Sequence, residues 1–254
     1  MTRGDVMKIG TLCFLAPLVL VSLGGAVVEA ATAGTMNSIS DVTFTTNTDP
    51  TNPVNPTDPT KPVLPVDPLD PADPHEPGTA GPLSIDYVSN FHFGNKVIQV
   101  TDATYYASMD SVKDVTTDQV VAVPNYLQVT DKRGSNVGWK VTVTQNGQFK
   151  TANTTPDVLA NAQLKLTNAT SNSTMNPILA PTASALVTID PLGASSSLVV
   201  SAAEDKGMGT WTTAFGDAVS GGQSISLSVP GTTDKVKNVQ YKASLTWNLE
   251  DGPL

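Results

Sequence analysis

Cysteine is nearly absent from this sequence, because its one residue, Cys13, lies within residues 1–30. That segment carries Arg3 and Lys8, an apolar run over residues 9–21, and small residues before Ala31, which is typical of a removable export signal. A mature chain that begins after this signal holds no thiol, so disulfides and cysteine-based metal sites are excluded. Its stability must therefore come from an ordinary hydrophobic core.

Positive charge is also scarce, since 14 Lys and Arg residues stand against 23 Asp and Glu residues and give a net charge of −9. An acidic protein gains nothing from counterion release on nucleic acid. Anionic lipids and phosphate-rich polymers should repel it. Binding to such a polymer would have to use hydrogen bonds, aromatic stacking or a bridging cation instead of bulk charge attraction.

Signatures of catalysis and of metal binding are missing as well. The chain has only two histidines, His75 and His92, and contains neither a Gly-x-Ser-x-Gly elbow nor a His-Glu-x-x-His motif. The aspartates between residues 102 and 118 are too widely spaced for a calcium loop. We therefore predict a protein that is not an enzyme and has no metal or cofactor. A carboxylate pair that cleaves a polysaccharide is the alternative that sequence leaves open.

Proline, in contrast, is abundant and regular, and it occupies every third position from Pro50 to Pro77. Polyproline II has three residues per turn, so this period predicts a disordered or polyproline II spacer over residues 49–80. Before it, residues 31–48 contain one alternating stretch, Ser40–Thr45, which predicts a lone strand. Such a strand needs a partner sheet, supplied either by the downstream domain or by another molecule.

From residue 81 onward the chain reads as short apolar strands separated by turns. An all-β fold over residues 81–254 follows from this pattern: a β-sandwich, immunoglobulin-like or of a related Greek-key type. Asn146-Gly147 predicts a tight hairpin, and Pro156–Ala160 predicts one or two helical turns. The expected strands are Ile85–Phe93, Val97–Val100, Leu127–Val129, Trp139–Val143, Leu164–Leu166, Ala185–Ile189, Leu198–Val200 and Ile225–Val229.

The last predicted strand has the clearest pattern in the chain. Apolar and polar residues alternate from Tyr241 to Glu250, which means one buried face and one solvated face. The apolar series is Tyr241, Ala243, Leu245, Trp247 and Leu249, and the polar series is Lys242, Ser244, Thr246, Asn248 and Glu250. We expect no membrane tail after this strand and no membrane insertion of the mature chain.

Several of these stretches together resemble the WxL family of Gram-positive cell-surface proteins. The resemblance rests on Trp-x-Leu at Trp247 and Leu249, on a first tryptophan motif at Trp139, and on a glycine-rich turn before Trp211. The opening strand from Ile85 and the Thr-, Pro- and Asp-rich segment before it also match. One departure is Val141, which stands where the family name requires leucine.

The resemblance implies a secreted, cell-wall-associated protein that attaches noncovalently to the wall, with peptidoglycan or another cell-wall polymer as the ligand. It also implies assembly with other surface proteins encoded nearby, and the alternative function is a subunit of such a complex. Each motif residue has two readings, contact with a ligand or packing in the core. The candidate ligand-binding residues are Trp139, Val141, Trp211, Trp247, Asn248 and Leu249.

Overall fold

The computed structural model describes residues 32–66 and 74–252 of the chain. It divides into two compact units, Met1–Thr43 and Phe44–Leu254. In the first unit, residues 32–43 are exposed and form neither strand nor helix. The second unit has no strand at Phe44 and Thr45 either, so the lone strand expected over Ser40–Thr45 is not formed. The predicted export signal, residues 1–30, lies outside the described residues.

The described part of the second unit is built from antiparallel strands with two short 3₁₀ helices, Pro177–Leu179 and Gly221–Gln223. In chain order the strands are β1 (Val54–Asn55), β2 (Asp58–Val66), β3 (Leu83–Val88), β4 (Ala103–Tyr106), β5 (Asp110–Asp114), β6 (Val120–Val123), β7 (Tyr126–Asp131), β8 (Trp139–Gln145), β9 (Gln163–Thr167), β10 (Ala169–Asn172), β11 (Thr182–Ala183), β12 (Leu186–Thr188), β13 (Ser197–Ala202), β14 (Gly209–Phe215), β15 (Ile225–Val229) and β16 (Leu245–Asp251).

These strands form four sheets with the orders β1-β2-β5-β6, β10-β14-β7-β3, β11-β13-β8-β16 and β12-β9-β15-β4. Below they are called the proline sheet, the central sheet, the tryptophan sheet and the β15 sheet. Side chains from the last three meet in one large core that contains Leu127, Trp139, Val141, Leu166 and Leu227. The arrangement is sandwich-like, which confirms the predicted all-β class.

Most strands predicted downstream of residue 81 are present, although β3 ends at Val88 instead of Phe93 and β16 begins at Leu245 instead of Tyr241. Three further local predictions are wrong. Val97–Val100 forms no strand, and Val97 and Val100 are exposed. The neighbouring stretch Ala103–Tyr106 pairs with β15 instead. Asn146-Gly147 joins no hairpin, because β8 pairs with the distant strands β13 and β16. Pro156–Ala160 is not helical.

The largest correction concerns the proline-rich segment. Residues 54–66 are not a polyproline II spacer, because they form β1 and β2, and β2 pairs with β5. Val63 is fully buried in a second core with Tyr87, Val112 and Tyr126. Residues 67–73 of the predicted spacer lie outside the described residues.

Distant side chains explain why this proline-rich segment folds. Proline lacks an N–H group but keeps a carbonyl acceptor. The carbonyl of Pro56 accepts hydrogen bonds from Asn172 Nδ2 at 3.0 Å and from Thr212 Oγ1 at 3.2 Å. Gln128 accepts from the Val54 amide at 2.8 Å and donates to the Asn52 carbonyl at 3.1 Å. The proline-rich segment thereby covers polar side chains of the central sheet, in which β7 is buried on both sides.

Among the described residues, no helix is long and apolar enough to cross a membrane.

Candidate functional site

The site begins with the pairing of β16 and β8, which brings the two Trp-containing motifs side by side. Trp247 lies opposite Val143, and Leu249 lies opposite Val141. The predicted alternation is confirmed, because the apolar series from Tyr241 to Leu249 is half-buried and the polar series from Lys242 to Glu250 is exposed. β16 therefore presents one apolar face to the core and one polar face to solvent, whereas on the polar side of β8 Thr142 is buried and Lys140 and Thr144 are half-buried.

Trp139, on the apolar side of β8, is a packing residue. Its side chain is 1% exposed, and its indole Nε1 donates a hydrogen bond to the Gly207 carbonyl at 3.1 Å. A Cβ atom at Gly207 would lie 2.4 Å from that nitrogen, so the turn needs glycine there. Val141 is completely buried beside it. Neither side chain presents a surface to a ligand in this structure.

Trp211 lies apart from the other two tryptophans, on β14 of the central sheet. Its side chain is 2% exposed, and its Nε1 donates to the Met208 carbonyl at 3.0 Å. The structure therefore does not bring Trp211 together with Trp247 and Asn248.

Trp247, in contrast, is only half-buried. Its ring contacts Phe91 edge to face, with ring centroids 6.4 Å apart and an interplanar angle of 78°. Within the described residues, β16 is an edge strand that pairs with β8, and it carries Trp247 and Leu249. This partly buried ring therefore packs against the core, on the apolar side of β16 that faces away from the polar series.

The polar face of β8 and β16 forms a continuous band of hydroxyl and amide groups, called here the polar track. Asn248 lies opposite Thr142, and Thr246 lies opposite Thr144. Asn146 Nδ2 donates to Ser244 Oγ at 3.1 Å and to Thr246 Oγ1 at 2.9 Å. These side chains combine donors and acceptors on one flat surface, which suits a neutral, hydroxyl-rich ligand.

Opposite charges close one end of the polar track. Lys140 and Glu250 are cross-strand partners, and their side chains form an ion pair at 3.3 Å. Beyond them, Arg133 binds Asp131 at 2.8 Å and also pairs with Asp251. The Asp131 hydrogen bond, reinforced by the Asp251 contact, raises the pKa of Arg133 above its usual value, although burial acts in the opposite direction. This cation therefore holds the end of β16 in place.

Two positively charged residues lie at the other end of the polar track. Lys242 and Lys150 are opposite each other in an isolated antiparallel bridge. Next to them is an open groove of about 550 Å³ with no acidic residue in its lining. It is lined by Lys150, Thr151, Ala152, Asn153, Val239, Gln240 and Lys242.

Sequence reasoning identified the β16 half of this surface but missed the β8 half. The missed residues are Thr142, Thr144, Asn146 and Lys150. A signal was available, because Lys140, Thr142 and Thr144 alternate with the buried Trp139, Val141 and Val143. What sequence did not reveal was that β8 and β16, about a hundred residues apart, are neighbours in the sheet.

No group of three or more potential metal-ligating side chains occurs within the described parts of the chain. Two open grooves among the described residues also differ from a hydrolase cleft. One has no carboxylate in its lining, and the other, of about 580 Å³, has Asp217 as its one carboxylate. A pair of facing carboxylates, which glycoside cleavage needs, lines neither groove.

Fold and site together define an antiparallel β protein with a polar, solvent-facing sheet surface suited to binding. The family model described as "WxL domain surface cell wall-binding" matches residues 31–253. The chain therefore belongs to the WxL family, as the tryptophan motifs indicated, and it is a cell-surface, cell-wall-binding protein. The match includes the proline-rich segment. No curated protein and no solved structure matched the chain.

Proposed function

We propose that the mature protein is secreted and attaches noncovalently to the Gram-positive wall by binding peptidoglycan through the polar track. The observation that carries this proposal is the unbroken exposed series on β16, set in register beside the hydroxyls of β8. Glycan strands are rich in hydroxyl and amide groups, and a flat polar sheet face can pair with them by many weak hydrogen bonds.

In this proposal the six candidate residues divide into two groups. Asn248 contacts the glycan directly, whereas Trp247 and Leu249 lie on the core-facing side of β16, opposite the polar track, and support the strand by packing. Trp139 and Val141 are buried and support the site by packing, and Trp211 is buried in the central sheet, apart from the site. A glycan contact by Trp139, Val141 or Trp211 stays a prediction, and all three side chains are buried in this structure.

Charge has only a minor part in this attachment. The chain carries a net charge of −9, and attraction between exposed charges is screened over about 8 Å at physiological ionic strength. The purified mature protein should therefore sediment with insoluble peptidoglycan at 1 M salt. Complete release by moderate salt would contradict the mechanism.

The decisive variant is Thr246→Ala combined with Asn248→Ala, which removes polar groups from the exposed side of β16 without changing its core side. Each lost hydrogen bond should weaken binding by about 0.5–1.5 kcal/mol, so the double variant should bind roughly tenfold more weakly. A matched control is Thr104→Ala with Ser228→Ala, because these hydroxyls lie 3.4 Å apart on the outer side of the β15 sheet. Equal losses in the two variants would exclude the polar track.

A second candidate function, assembly with another surface protein, is favoured by the segment before the proline-rich region. Val42 is 73% exposed and Phe44 is 88% exposed, although the alternating pattern around them favours a strand. Such a segment suits addition to the sheet edge of a partner protein. Phe44→Asp should then abolish complex formation and leave sedimentation with the wall unchanged, and loss of both would contradict this role.

A further inference from the structure

An open groove of about 580 Å³ lies where the proline-rich segment meets β10, an edge strand of the central sheet. It is called here the β10 groove. Its lining contains one carboxylate, Asp217, and neither lysine nor arginine. The other polar side chains of the lining carry hydroxyl or amide groups and belong to Thr57, Asn168, Thr170, Asn172 and Ser220. A ligand in this groove would therefore meet a negative charge that no basic residue of the lining offsets.

One residue of the lining, Asn168, has an unusual backbone conformation. Its φ is +55°, in the left-handed region that few non-glycine residues adopt. The Asn168 carbonyl accepts a hydrogen bond from the Gly216 amide at 2.9 Å, and this bond ties the start of β10 to the turn after β14. Left-handed residues cost free energy and cluster at functional sites. This conformation indicates a site whose wall is fixed before a ligand binds.

Asp217 holds the turn after β14 together with only one of its two carboxylate oxygens. Its Oδ1 accepts hydrogen bonds from the Val219 amide at 2.9 Å and from the amide and hydroxyl of Ser220 at 2.8 Å each. These bonds, the Ser220 amide first, lower the pKa of Asp217, so the carboxylate is charged at neutral pH. Among the described residues Oδ2 has no partner. One charged oxygen is thus left for a ligand.

Two asparagine amides of the lining offer further acceptor oxygens. The nitrogen of Asn172 donates to the Pro56 carbonyl at 3.0 Å, and a carbonyl can only accept. The nitrogen of Asn168 donates at 3.0 Å to Ser224 Oγ, whose own hydrogen is donated to the Ser220 carbonyl at 2.9 Å. These bonds fix which way each amide is turned. Within the described parts of the chain, Oδ1 of both asparagines is left without a partner.

We propose that the β10 groove binds a primary ammonium group carried by the wall polymer. An ammonium group has three N–H donors and no acceptor, which suits a lining with one charged oxygen and two amide oxygens that lack partners. The inference rests on the proposed function, because a wall peptide supplies this group where the side-chain amine of its diamino acid is not cross-linked. An aminoacyl ester on a teichoic acid carries the same group and is the alternative source.

The groove adds selectivity more than affinity. An ion pair at an exposed carboxylate contributes little to binding, since solvent and salt screen it. The polar track therefore supplies most of the attachment in this account, and the β10 groove adds a preference for wall material with free amines.

The test uses the full mature chain, isotope-labelled for NMR, and three soluble probes. These are a muramyl tripeptide that ends in lysine, the same peptide with its side-chain amine acetylated, and the methyl ester of D-alanine as a model of the aminoacyl ester. The free amines should shift the amides of residues 168–172 and 216–220, and the acetylated peptide should not. Which free amine binds more tightly identifies the source, stem peptide or teichoic acid.

The decisive variant is Asp217→Asn, which keeps Oδ1 for the turn and removes the charge. Asp190→Asn is the matched control, because Asp190 also holds an exposed turn, by accepting from the amides of Leu192 at 3.0 Å and Ser195 at 3.1 Å, and it lies outside the groove lining. Asp217→Asn should weaken the lysine peptide about two- to fivefold, and Asp190→Asn should leave its affinity unchanged.

Equal affinity of the wild-type chain for the acetylated and the free peptide would overturn this inference, whatever Asp217→Asn does to folding. So would unchanged affinity for the free peptide in Asp217→Asn, or an absence of shifts at the groove amides with both free amines. A neutral N-acetylglucosamine oligomer, which has no amine, tests the proposed function separately. Its failure to shift residues around Thr246 and Asn248 would overturn binding along the polar track.

Discussion

At the scale of single residues, the tryptophans of the motifs have different duties. The backbone of Gly207 packs against Trp139, and the indole N–H of Trp139 donates a hydrogen bond to the Gly207 carbonyl. Trp247 is only partly buried, lies on an edge strand and contacts Phe91. A tryptophan in a strand is a large apolar group with one polar atom, so its role depends on whether that atom and the ring are covered.

The fit of Gly207 against Trp139 provides a residue-scale prediction. Gly207 has a φ of +77°, and an added Cβ would collide with the indole at 2.4 Å. Gly207→Ala should lower the free energy of unfolding by about 2–4 kcal/mol, since backbone strain adds to overpacking in the core. Urea unfolding monitored by tryptophan fluorescence measures this loss.

Gly134 supplies the matched control, because its φ is +71° but no atom lies within 4 Å of an added Cβ. Gly134→Ala should therefore cost only the strain of the left-handed backbone, about 1–2 kcal/mol. If both variants lose the same stability, the close contact with Trp139 has no energetic weight.

At the scale of strands, the alternation of polar and apolar residues predicted a strand wherever one of its faces is exposed to solvent. β16 and β8 were predictable for this reason, since polar and apolar side chains alternate along both. β7 was predictable only as a strand, because all six of its residues are buried and include Gln128 and Thr130. The polar side chains of β7 bind the proline-rich segment or other buried polar groups. The periodicity of the sequence does not identify these partners.

Asp86, next to β7, shows how that burial affects ionisation. Its carboxylate accepts hydrogen bonds from Ser84 at 2.6 Å, Gln128 at 2.9 Å and Thr130 at 2.5 Å. Desolvation nevertheless outweighs these bonds and raises the pKa of Asp86 above its usual value. The folded state therefore holds the proton more tightly than the unfolded state does.

This raised pKa sets the direction of a pH-dependent prediction. The contribution of Asp86 to stability is fully present below its unfolded pKa of about 4 and is lost as pH rises through the higher folded pKa. The stability of the wild type relative to Asp86→Asn should accordingly be greatest near pH 3.5 and decrease towards pH 7. Chemical unfolding at a series of pH values measures the difference.

Asp217 provides a control with the opposite sign. Its pKa is lowered, first by the backbone amide of Ser220 and then by that residue's hydroxyl. The stability of the wild type relative to Asp217→Asn should thus decrease as pH falls below about 4. If the stability of the wild type relative to Asp86→Asn also decreased as pH fell below about 4, the raised pKa of Asp86 would be contradicted.

At the scale of the whole chain, the proline-rich segment marks the limit of what sequence predicts. A proline at every third position is a strong local signal for an extended, solvated chain. The proline-rich segment is bound by side chains that lie far along the sequence, on β7, β10 and β14. These side chains are Gln128, Asn172 and Thr212. Local propensity was therefore overridden by tertiary hydrogen bonds that one sequence does not reveal.

The same limit applies to the binding surface. The exposed half on β16 could be read from the sequence, whereas the opposing half on β8 and the Lys150–Lys242 pair require knowledge of which strands are neighbours. Two alternating strands alone do not identify each other. Pairing across long loops is a property of the complete fold.

Truncation tests whether residues 49–66 belong to the folded domain or act as a spacer. A chain that begins at Gly81 loses Val63 from the second core and uncovers the rings of Tyr87 and Tyr126. Burial of one valine and two ring faces contributes several kcal/mol. We therefore expect the truncated chain to unfold at a markedly lower temperature, by at least about 10 °C, in a calorimetric scan.

A chain that begins at Phe44 is the appropriate reference, because residues 32–43 are exposed and contain no strand. Removing them should leave the melting temperature within about 2 °C of that of the mature chain, since surface changes rarely exceed ±0.5 kcal/mol. If the chain from Gly81 melts at the same temperature as the chain from Phe44, the proline-rich segment contributes nothing to the stability of the fold. The polar face of the central sheet would then be stable without its cover, although Gln128 and Thr212 would have lost their backbone partners.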